Sequence, residues 1–352
     1  MGETAADLPE GDKRRRRAAT ITLLFLAPVF GEVLSTATAP HDLLMPWTLM
    51  LMVAMYGCGA LLCRELTRRF GLGLSGLLLL GAAYGVYEEG LVDRYFYDPA
   101  FWDEVGVGDY SAVGEVNVLM ALHLTLFHAA VSVVSSIVVV ERIFPDVRST
   151  PWVRPRGLIV CALSLCAVVA VFWSEFYVPS IWTLLGAVAV VALLVWAAFL
   201  APRPSHARGA LGDARAQTLD TVPVDEPPTR WLGVTAFVCT ALHFGSVYAI
   251  AHAPMAWPLG VALTWLPVGV GVLLVSRRGR GGLDGPDALR VVTGIASFFV
   301  MLNIVFGLAG SYDMTLAGLT LGGLLWWLSR RTPRTSASAG ALASGHDEAA
   351  DQ

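Results

Sequence analysis

The chain consists of long apolar runs separated by short polar breaks. A helix that crosses a bilayer needs about 20 mostly apolar residues. Ten segments come close to that length, and prolines such as Pro145 and Pro202 mark the breaks between them. The segments are 18–38, 45–63, 72–92, 116–140, 157–174, 180–201, 231–251, 257–275, 289–309 and 313–329. The pattern predicts an all-α fold, a polytopic integral membrane bundle of about ten transmembrane helices.

The basic residues fall on alternate sides of these segments. If the N-terminus lies in the cytoplasm, 23 of the 24 Lys and Arg residues lie in cytoplasmic tails or loops, and Arg94 alone lies outside. Cytoplasmic loops of membrane proteins carry such an excess of positive charge. The chain is therefore predicted to lie in the cell (plasma) membrane, multi-pass, with both termini in the cytoplasm.

Changes in composition divide the chain into five parts. Only 15% of the residues are charged, against roughly 25% in soluble domains, so the bulk of the chain is not a soluble domain. The predicted parts are a basic cytoplasmic tail (1–17), a six-helix transmembrane part (18–201) with an outer loop (93–115), a flexible cytoplasmic linker (202–230), a four-helix transmembrane part (231–329) and a disordered cytoplasmic tail (330–352).

The third apolar segment carries two adjacent glutamates. Ionisable side chains inside a bilayer cost about 2.5–3.5 kcal/mol, so they face the bundle interior and indicate function. Gly81 and Gly85 form a small-xxx-small pattern that allows a second helix to approach closely. Glu88 lies on the same helix face, and Glu89 lies at its edge. Both carboxyl groups are therefore predicted to point toward a neighbouring helix.

The fourth segment supplies a polar stripe that could meet these carboxyl groups. Its members recur at helical spacing and are small or polar: Asn117, Ala121, Thr125, His128, Ser132 and Ser135. In the first segment, Glu32 follows Pro28 by one turn, as expected of a broken helix that lines a cavity. We therefore predict that Glu32, the glutamate pair and His128 converge in the outer half of the membrane.

These residues form the candidate site, and several have structural alternatives. Glu88, Glu89 and His128 are the candidate catalytic residues, and Glu32, Asn117, Thr125 and His243 are candidates for binding a substrate or a proton. His123 and His243 could instead hydrogen-bond to neighbouring helices. They lie in the recurring tripeptides Ala121-Leu122-His123 and Ala241-Leu242-His243, which are too short to indicate a repeat.

Charged residues at the ends of the spans have structural roles as alternatives, and the sequence shows no metal or cofactor motif. Arg94 could form a salt bridge with the glutamate pair. Glu65 follows Arg64 at the cytoplasmic end of the second segment, which indicates an ion pair at the membrane interface. None of the five cysteines has the spacing of a zinc site, so no metal and no cofactor is predicted.

The segment from Tyr87 to Arg94, Tyr-Glu-Glu-Gly-Leu-Val-Asp-Arg, is followed by a histidine in the next span. It resembles the glutamic intramembrane protease family, which includes relatives of the CAAX-prenyl proteases. In that family a Glu pair precedes an Arg, and histidines on later helices complete the site. The resemblance covers about residues 84–128. It implies that Glu88 or Glu89 activates water while His128 helps to hold the developing oxyanion.

Three classes of function follow from these residues. The first is a transporter or permease for a small solute or ion that uses the intramembrane carboxylate–histidine site. The second is a membrane-embedded glutamic-type hydrolase that uses the same side chains. The third is a non-catalytic assembly or signalling component whose polar stripe only joins helices. The expected partners are membrane lipid and a small solute, an ion or a membrane-embedded substrate, with no nucleic acid; the sequence leaves the oligomeric state open.

Overall fold

Helices make up almost all of the structure, a computed structural model that describes residues 10–202, 231–278 and 286–330. Nearly all of the predicted linker 202–230, the tail beyond Arg330 and the first nine residues lie outside the described part. The helices are α1 (Glu10–Pro28), α2 (Pro40–Leu43), α3 (Pro46–Phe70), α4 (Leu74–Tyr87), α5 (Pro99–Glu104), α6 (Val118–Ile143), α7 (Pro155–Val171), α8 (Ile181–Leu200), α9 (Trp231–Ile250), α10 (Trp257–Arg278), α11 (Pro286–Leu308) and α12 (Tyr312–Arg330).

Four stretches of these helices have π-helical geometry. The first, π1 (Val29–Val33), extends α1, and the third, π3 (Glu88–Val92), extends α4. The second, π2 (Val53–Gly57), lies within α3, and the fourth, π4 (His128–Ser135), lies within α6. Such segments are rare and frequently occur at functional sites, because the wider turn changes the direction in which side chains point.

The helices are apolar enough for a membrane protein. Among the described residues, six helices are long and apolar enough to cross a bilayer, namely α3, α6, α8, α9, α10 and α11. The helix α7 is apolar but shorter. Large apolar side chains such as Trp182, Leu193 and Leu266 are exposed on these helices, as expected of a surface that faces lipid. The all-α membrane bundle is confirmed at this level, whereas the count of ten spans and the orientation of the termini stay predictions.

The helices pack in two groups that meet at α6. In the first group, α4 packs against α8 and π4, α1 packs against π2 and the end of α6, and α3 packs against α7. In the second group, α9 packs against α10 and α11, and α11 packs against α12. The contact between α11 and α6 joins the groups. Thus π4 lies at the centre of the first group, between α4 and the end of α1.

The outer loop contains a short β ribbon that the sequence did not predict. Residues Ala112–Val113 pair with Val116–Asn117 in an antiparallel ribbon. The fourth predicted span, 116–140, therefore starts two residues too early, since α6 begins at Val118. The ribbon takes up the backbone hydrogen bonds of residues that the apolar pattern alone would place in the helix.

At the end of the bundle that contains the start of α1, a network of buried ion pairs joins α3 to α6. Arg64 contacts Glu65 at 2.6 Å and Glu141 at 3.1 Å, and these three side chains are at most 4% exposed. Arg68 also pairs with Glu141, and Arg69 pairs with Glu65 at 3.1 Å. The predicted pair of Arg64 and Glu65 therefore forms and is buried in the bundle, whereas its place at the membrane interface stays a prediction.

Candidate functional site

One histidine lies between two glutamates in the interior of the first helix group. The Nε2 atom of His128 lies 2.9 Å from Oε1 of Glu89, and its Nδ1 atom lies 3.0 Å from Oε2 of Glu88. The hydroxyl of Ser132 lies 3.2 Å from the same Nδ1 atom. All four side chains are buried. A single imidazole ring is thus shared by two carboxyl groups at the centre of the fold.

Several polar atoms of this site have no partner. The contact of Glu88 with His128 is an ion pair without the angles of a hydrogen bond, so neither carboxyl oxygen of Glu88 accepts a hydrogen bond among the described residues. The Oε2 atom of Glu89 and the hydroxyl of Tyr84 are also buried there without a partner. A buried polar group without a hydrogen bond costs about 1–3 kcal/mol. The carboxyl oxygens of the site can therefore bind a proton, or accept hydrogen bonds from water or from a ligand.

A third carboxyl group lies beside the pair. The Oε1 atom of Glu32 accepts a hydrogen bond from the hydroxyl of Tyr56 at 2.7 Å, and Oε2 accepts one from the hydroxyl of Thr38. Glu32 is near enough for the charges of Glu88 and His128 to act on it. The rings of Tyr56 and His128 stack with centroids 6.1 Å apart. The structure therefore brings Glu32 to the same site as the other three predicted residues.

An aspartate outside the predicted site lies beside the glutamate pair in the chain. Asp93 follows π3 directly, and its backbone N–H donates to the carbonyl oxygen of Glu88 at 2.9 Å. The predicted third span ends at residue 92, so the sequence pattern places Asp93 in the loop and not in the site. Its position after the glutamate pair is the available signal.

Close helix packing holds the imidazole in place. A Cβ atom added at Gly85 would lie 3.0 Å from Cβ of His128 and 3.1 Å from Cα of Thr125. A Cβ atom added at Gly81 would lie 2.9 Å from Cα of Ala129. The small-xxx-small pattern predicted such an approach, and the structure confirms it. The two glycines let α4 rest directly on the backbone of α6 and π4.

The acidic and imidazole groups of the site, and Tyr56, come from π-helical segments, whereas Tyr84 and Phe127, whose rings also contact His128, lie in α-helical turns. Glu32 lies in π1, Tyr56 in π2, Glu88 and Glu89 in π3, and His128 in π4. Four helices thus depart from α geometry at the same place. A π turn adds one residue to a turn of helix and so turns the following side chains away from the regular face. The spacing of the sequence gives no warning of this, because helical periods assume regular turns.

Two other predicted residues, Asn117 and Thr125, make contacts that shape the start and the packing of α6. Asn117 caps α6, where its side chain accepts from the backbone N–H of Met120 at 3.1 Å and from the hydroxyl of Ser111 at 2.9 Å. Thr125 lies one turn before His128 and contributes a backbone surface against α4. For these two residues the contacts are structural, and their roles in binding stay predictions.

His243 forms a second buried pair with His123. Nδ1 of His123 lies 3.1 Å from Nε2 of His243, and Nδ1 of His243 donates to the carbonyl oxygen of Thr264 at 2.8 Å. That donor assignment follows from the carbonyl, which can only accept. The expectation that His123 and His243 hydrogen-bond to neighbouring helices agrees with these contacts, but the sequence gives no signal that the two histidines meet each other.

Arg94 does not form the predicted salt bridge with the glutamate pair. One of its terminal nitrogens donates to the carbonyl oxygens of Phe172, Trp173 and Phe176 at 3.0–3.1 Å. The guanidinium group therefore caps the turn that follows α7. The alternative in which Arg94 neutralises the pair is wrong, because the side chain is directed to these carbonyl groups.

The charges at the site define its chemistry. A protonated imidazole can donate from both ring nitrogens, so His128 can serve both glutamates at once. It supplies one positive charge to a buried group of several carboxyl groups, which cannot all be ionised in a low dielectric. The arrangement therefore suits the binding and exchange of protons. Within the described ranges, no group of three or more His, Cys, Asp or Glu side chains is arranged to hold a metal ion.

Comparison with known proteins gives one match. A family model described as an uncharacterized membrane protein family matches residues 21–329. No curated protein and no solved structure matches the chain. The match lends no support to the resemblance to glutamic intramembrane proteases, which stays a prediction.

Proposed function

We propose that this chain, which belongs to an uncharacterized membrane protein family over residues 21–329, is a proton-coupled permease for a small solute or ion. It acts in the plasma membrane with both termini in the cytoplasm. The carboxylate–imidazole site is the place where the proton binds. In this proposal the second helix group, α9 to α12, supports the first.

The observation that carries the proposal is the position of His128 between Glu88 and Glu89. Buried ionisable groups are expensive in a membrane and mark ion or proton pathways. A single positive charge shared by two carboxyl groups can be gained or lost with little movement of the side chains. Coupling needs such a group, because transport follows the proton only if proton binding changes the charge at the site.

Polar residues continue from the site toward one end of the bundle. Glu32 is buried, but its partner Thr38 lies half-exposed in the segment that links π1 to α2. Asp93 lies at the end of π3, between the glutamate pair and the outer loop. These groups extend the polar site from the interior toward one end of the bundle. The predicted orientation makes that end the outer one.

Proton flux in liposomes tests the proposal. The purified full-length chain is reconstituted into liposomes that contain a pH-sensitive dye, and a pH gradient is imposed. A panel of monovalent cations, amino acids and organic anions is then added in turn. The native protein should discharge the gradient faster with one class of solute, and Glu88→Gln or Glu89→Gln should reduce the flux to that of empty liposomes.

Glu104→Gln is the matched control, since Glu104 is an exposed carboxylate at the end of α5. It should leave the flux unchanged. The proposal fails if the native protein discharges no gradient with any member of the panel. It also fails if the two glutamine variants, shown to be folded by their circular dichroism, transport as well as the native chain.

A second candidate, a membrane-embedded hydrolase, is favoured by one contact. The resemblance to the glutamic protease family requires a histidine beside the Glu pair, and His128 touches both glutamates. In such an enzyme one carboxylate would take a proton from water as the water oxygen attacks a carbonyl carbon, and the imidazolium would hold the oxyanion. The carboxyl group would then give that proton to the amide nitrogen as the C–N bond breaks and the amine leaves.

Peptide cleavage separates the two candidates. Apolar peptides in mixed micelles are incubated with the native protein in ¹⁸O-labelled water, and the products are identified by mass spectrometry. Label at a new carboxyl end that disappears in Glu89→Gln and persists in Glu104→Gln would favour the hydrolase. If both glutamine variants leave flux and cleavage unaffected, the polar stripe only joins helices, as in an assembly or signalling component.

A further inference from the structure

A basic groove lies at the other end of the bundle from the carboxylate site. It is formed by the start of α1, the end of α3 and the segment that precedes α7. The groove has a volume of about 880 Å³. Its lining residues are Lys13, Arg16, Arg17, Thr20, Ile21, Arg69, Thr150, Pro151, Trp152, Val153, Arg154 and Pro155. Arg16 and Glu32 are separated by about 24 Å along α1 at 1.5 Å per residue, so the two sites are distinct.

The groove carries positive charge and no acidic side chain in its lining. Five of the lining residues are Lys or Arg. Arg69 also pairs with Glu65 of the buried ion network, at 3.1 Å. Positive charges gathered in one concave surface repel one another, so an anion that binds between them is stabilised.

Two donors at the groove are left unpaired inside the protein. Arg16 donates from Nη1 to the carbonyl oxygen of Pro151 at 3.1 Å, which fixes its guanidinium group at the wall. The Nε atoms of Arg16 and Arg69 are buried and have no partner among the described residues. Guanidinium groups bind phosphate through two parallel hydrogen bonds. The guanidinium group of Arg16, held at the wall of the groove, therefore has the chemistry that a phosphate group needs.

Apolar side chains continue from the groove along α1. Ile21 lines it, and Phe25 follows one turn later on the same face. Both are exposed, at 45% and 49%. A phospholipid combines a charged phosphate with acyl chains, so it can contact both the basic residues and the apolar side chains. Free phosphate can contact only the basic residues.

We propose that this groove binds the phosphate headgroup of an anionic phospholipid, with its acyl chains along Ile21 and Phe25. The headgroup contacts Arg16, Arg17 and Arg154. The predicted orientation places the groove at the cytoplasmic surface, where anionic headgroups attract basic residues. The proposal does not rest on the function of the carboxylate site.

Lipid binding to the purified full-length protein tests the proposal. Native mass spectrometry measures the binding of phosphatidylglycerol and of phosphatidylcholine at equal concentrations. The double variant Arg16→Gln with Arg154→Gln should weaken phosphatidylglycerol binding at least about tenfold, because it removes two charge-assisted contacts. The variant leaves Arg69 and its buried partners intact but removes the contact of Arg16 with Pro151. Circular dichroism therefore checks its fold, and Arg154→Gln alone, which keeps that contact, should weaken binding in the same direction.

Arg14→Gln is the matched control. Arg14 is an exposed arginine of α1 that does not line the groove, so its loss should leave phosphatidylglycerol binding within about twofold of native. Equal weakening by the control and the double variant would overturn the proposal in favour of general surface attraction. Equal binding of the two lipids would also overturn it. Displacement of the lipid by millimolar inorganic phosphate would assign the groove to free phosphate and would refute the lipid assignment.

Discussion

The buried ion network between α3 and α6 makes a quantitative prediction. Glu65 is completely buried, and its Oε1 atom accepts from Nη1 of Arg64 at 2.6 Å and from the backbone N–H of Trp152 at 2.7 Å. Its Oε2 atom accepts from Arg69 at 3.1 Å. Glu65→Gln keeps the size of the side chain but removes its charge, and the new amide N–H₂ group faces the donor of Arg69.

We expect Glu65→Gln to lower the free energy of unfolding by about 3 kcal/mol. Removing one partner of a buried ion pair costs about 3–5 kcal/mol, because the other charge is left without compensation. The lower end applies here, since Glu141 still faces Arg64 at 3.1 Å. Unfolding by sodium dodecyl sulfate in mixed micelles, followed by tryptophan fluorescence, measures the change.

The exposed pair of Arg15 and Asp146 is the control for this reasoning. Its two charged atoms are 2.7 Å apart, closer than the buried pairs of Arg64 with Glu141 and of Arg69 with Glu65, but the side chains are 52% and 43% exposed. Asp146→Asn should cost no more than about 1 kcal/mol, because water screens the pair. If Asp146→Asn and Glu65→Gln cost the same, or if Glu65→Gln costs less than about 1 kcal/mol, burial does not govern these pairs and the reasoning is wrong.

Two further predictions concern packing and pH. Gly85→Leu should destabilise the protein by about 1–3 kcal/mol, because it overpacks the contact of α4 with α6, whereas Gly186→Leu, which meets nothing within 4 Å, should be neutral in the same unfolding assay. The hydrogen bond to Asp313 raises the pKa of His41 above its usual value, so this contact contributes fully below the unfolded pKa of His41 and is lost as the pH rises through the raised folded value. Thermal unfolding measured across that pH range should show this slope in the native protein and a flatter profile in Asp313→Asn; equal slopes would contradict the assignment.

Much of the helical framework follows from the apolar pattern. The predicted segment 180–201 corresponds to α8 (Ile181–Leu200), and 231–251 corresponds to α9 (Trp231–Ile250). Length and apolar character decide such helices locally, because a backbone in lipid must satisfy its own hydrogen bonds. The β ribbon was not predictable in this way, since Asn117 caps α6 through contacts with a loop that precedes it.

The burial of Arg64 and Glu65 could not be predicted from the residues beside them in the sequence. Arg64 and Glu65 are adjacent and follow an apolar run, which is the usual pattern of a membrane interface. Their burial depends on Glu141 in α6 and on the backbone of Trp152. Those partners lie more than 70 residues away in the chain, so nothing beside the pair in the sequence indicates that it is covered.

The candidate site could be predicted in part. The spacing of Gly81, Gly85 and Glu88 placed one glutamate on a packing face, and the stripe on the next span placed His128 opposite. The structure has these groups in contact. The missing part was Tyr56, an aromatic residue in an apolar run with no polar neighbour, whose hydrogen bond to Glu32 depends on how α1 and α3 meet.

The four π-helical segments have a consequence for comparison between relatives. A π turn holds one extra residue, so deleting a residue within π1, π2, π3 or π4 would return the helix to regular winding. The side chains beyond the segment would keep their directions, whereas those within it would change theirs. In this family a one-residue gap inside a membrane helix would therefore be a meaningful change. We expect homologues with such a gap to keep the helix bundle and to lose the contacts between the carboxyl groups and the imidazole ring. Indel position would then sort relatives that have the site from relatives that have only the fold.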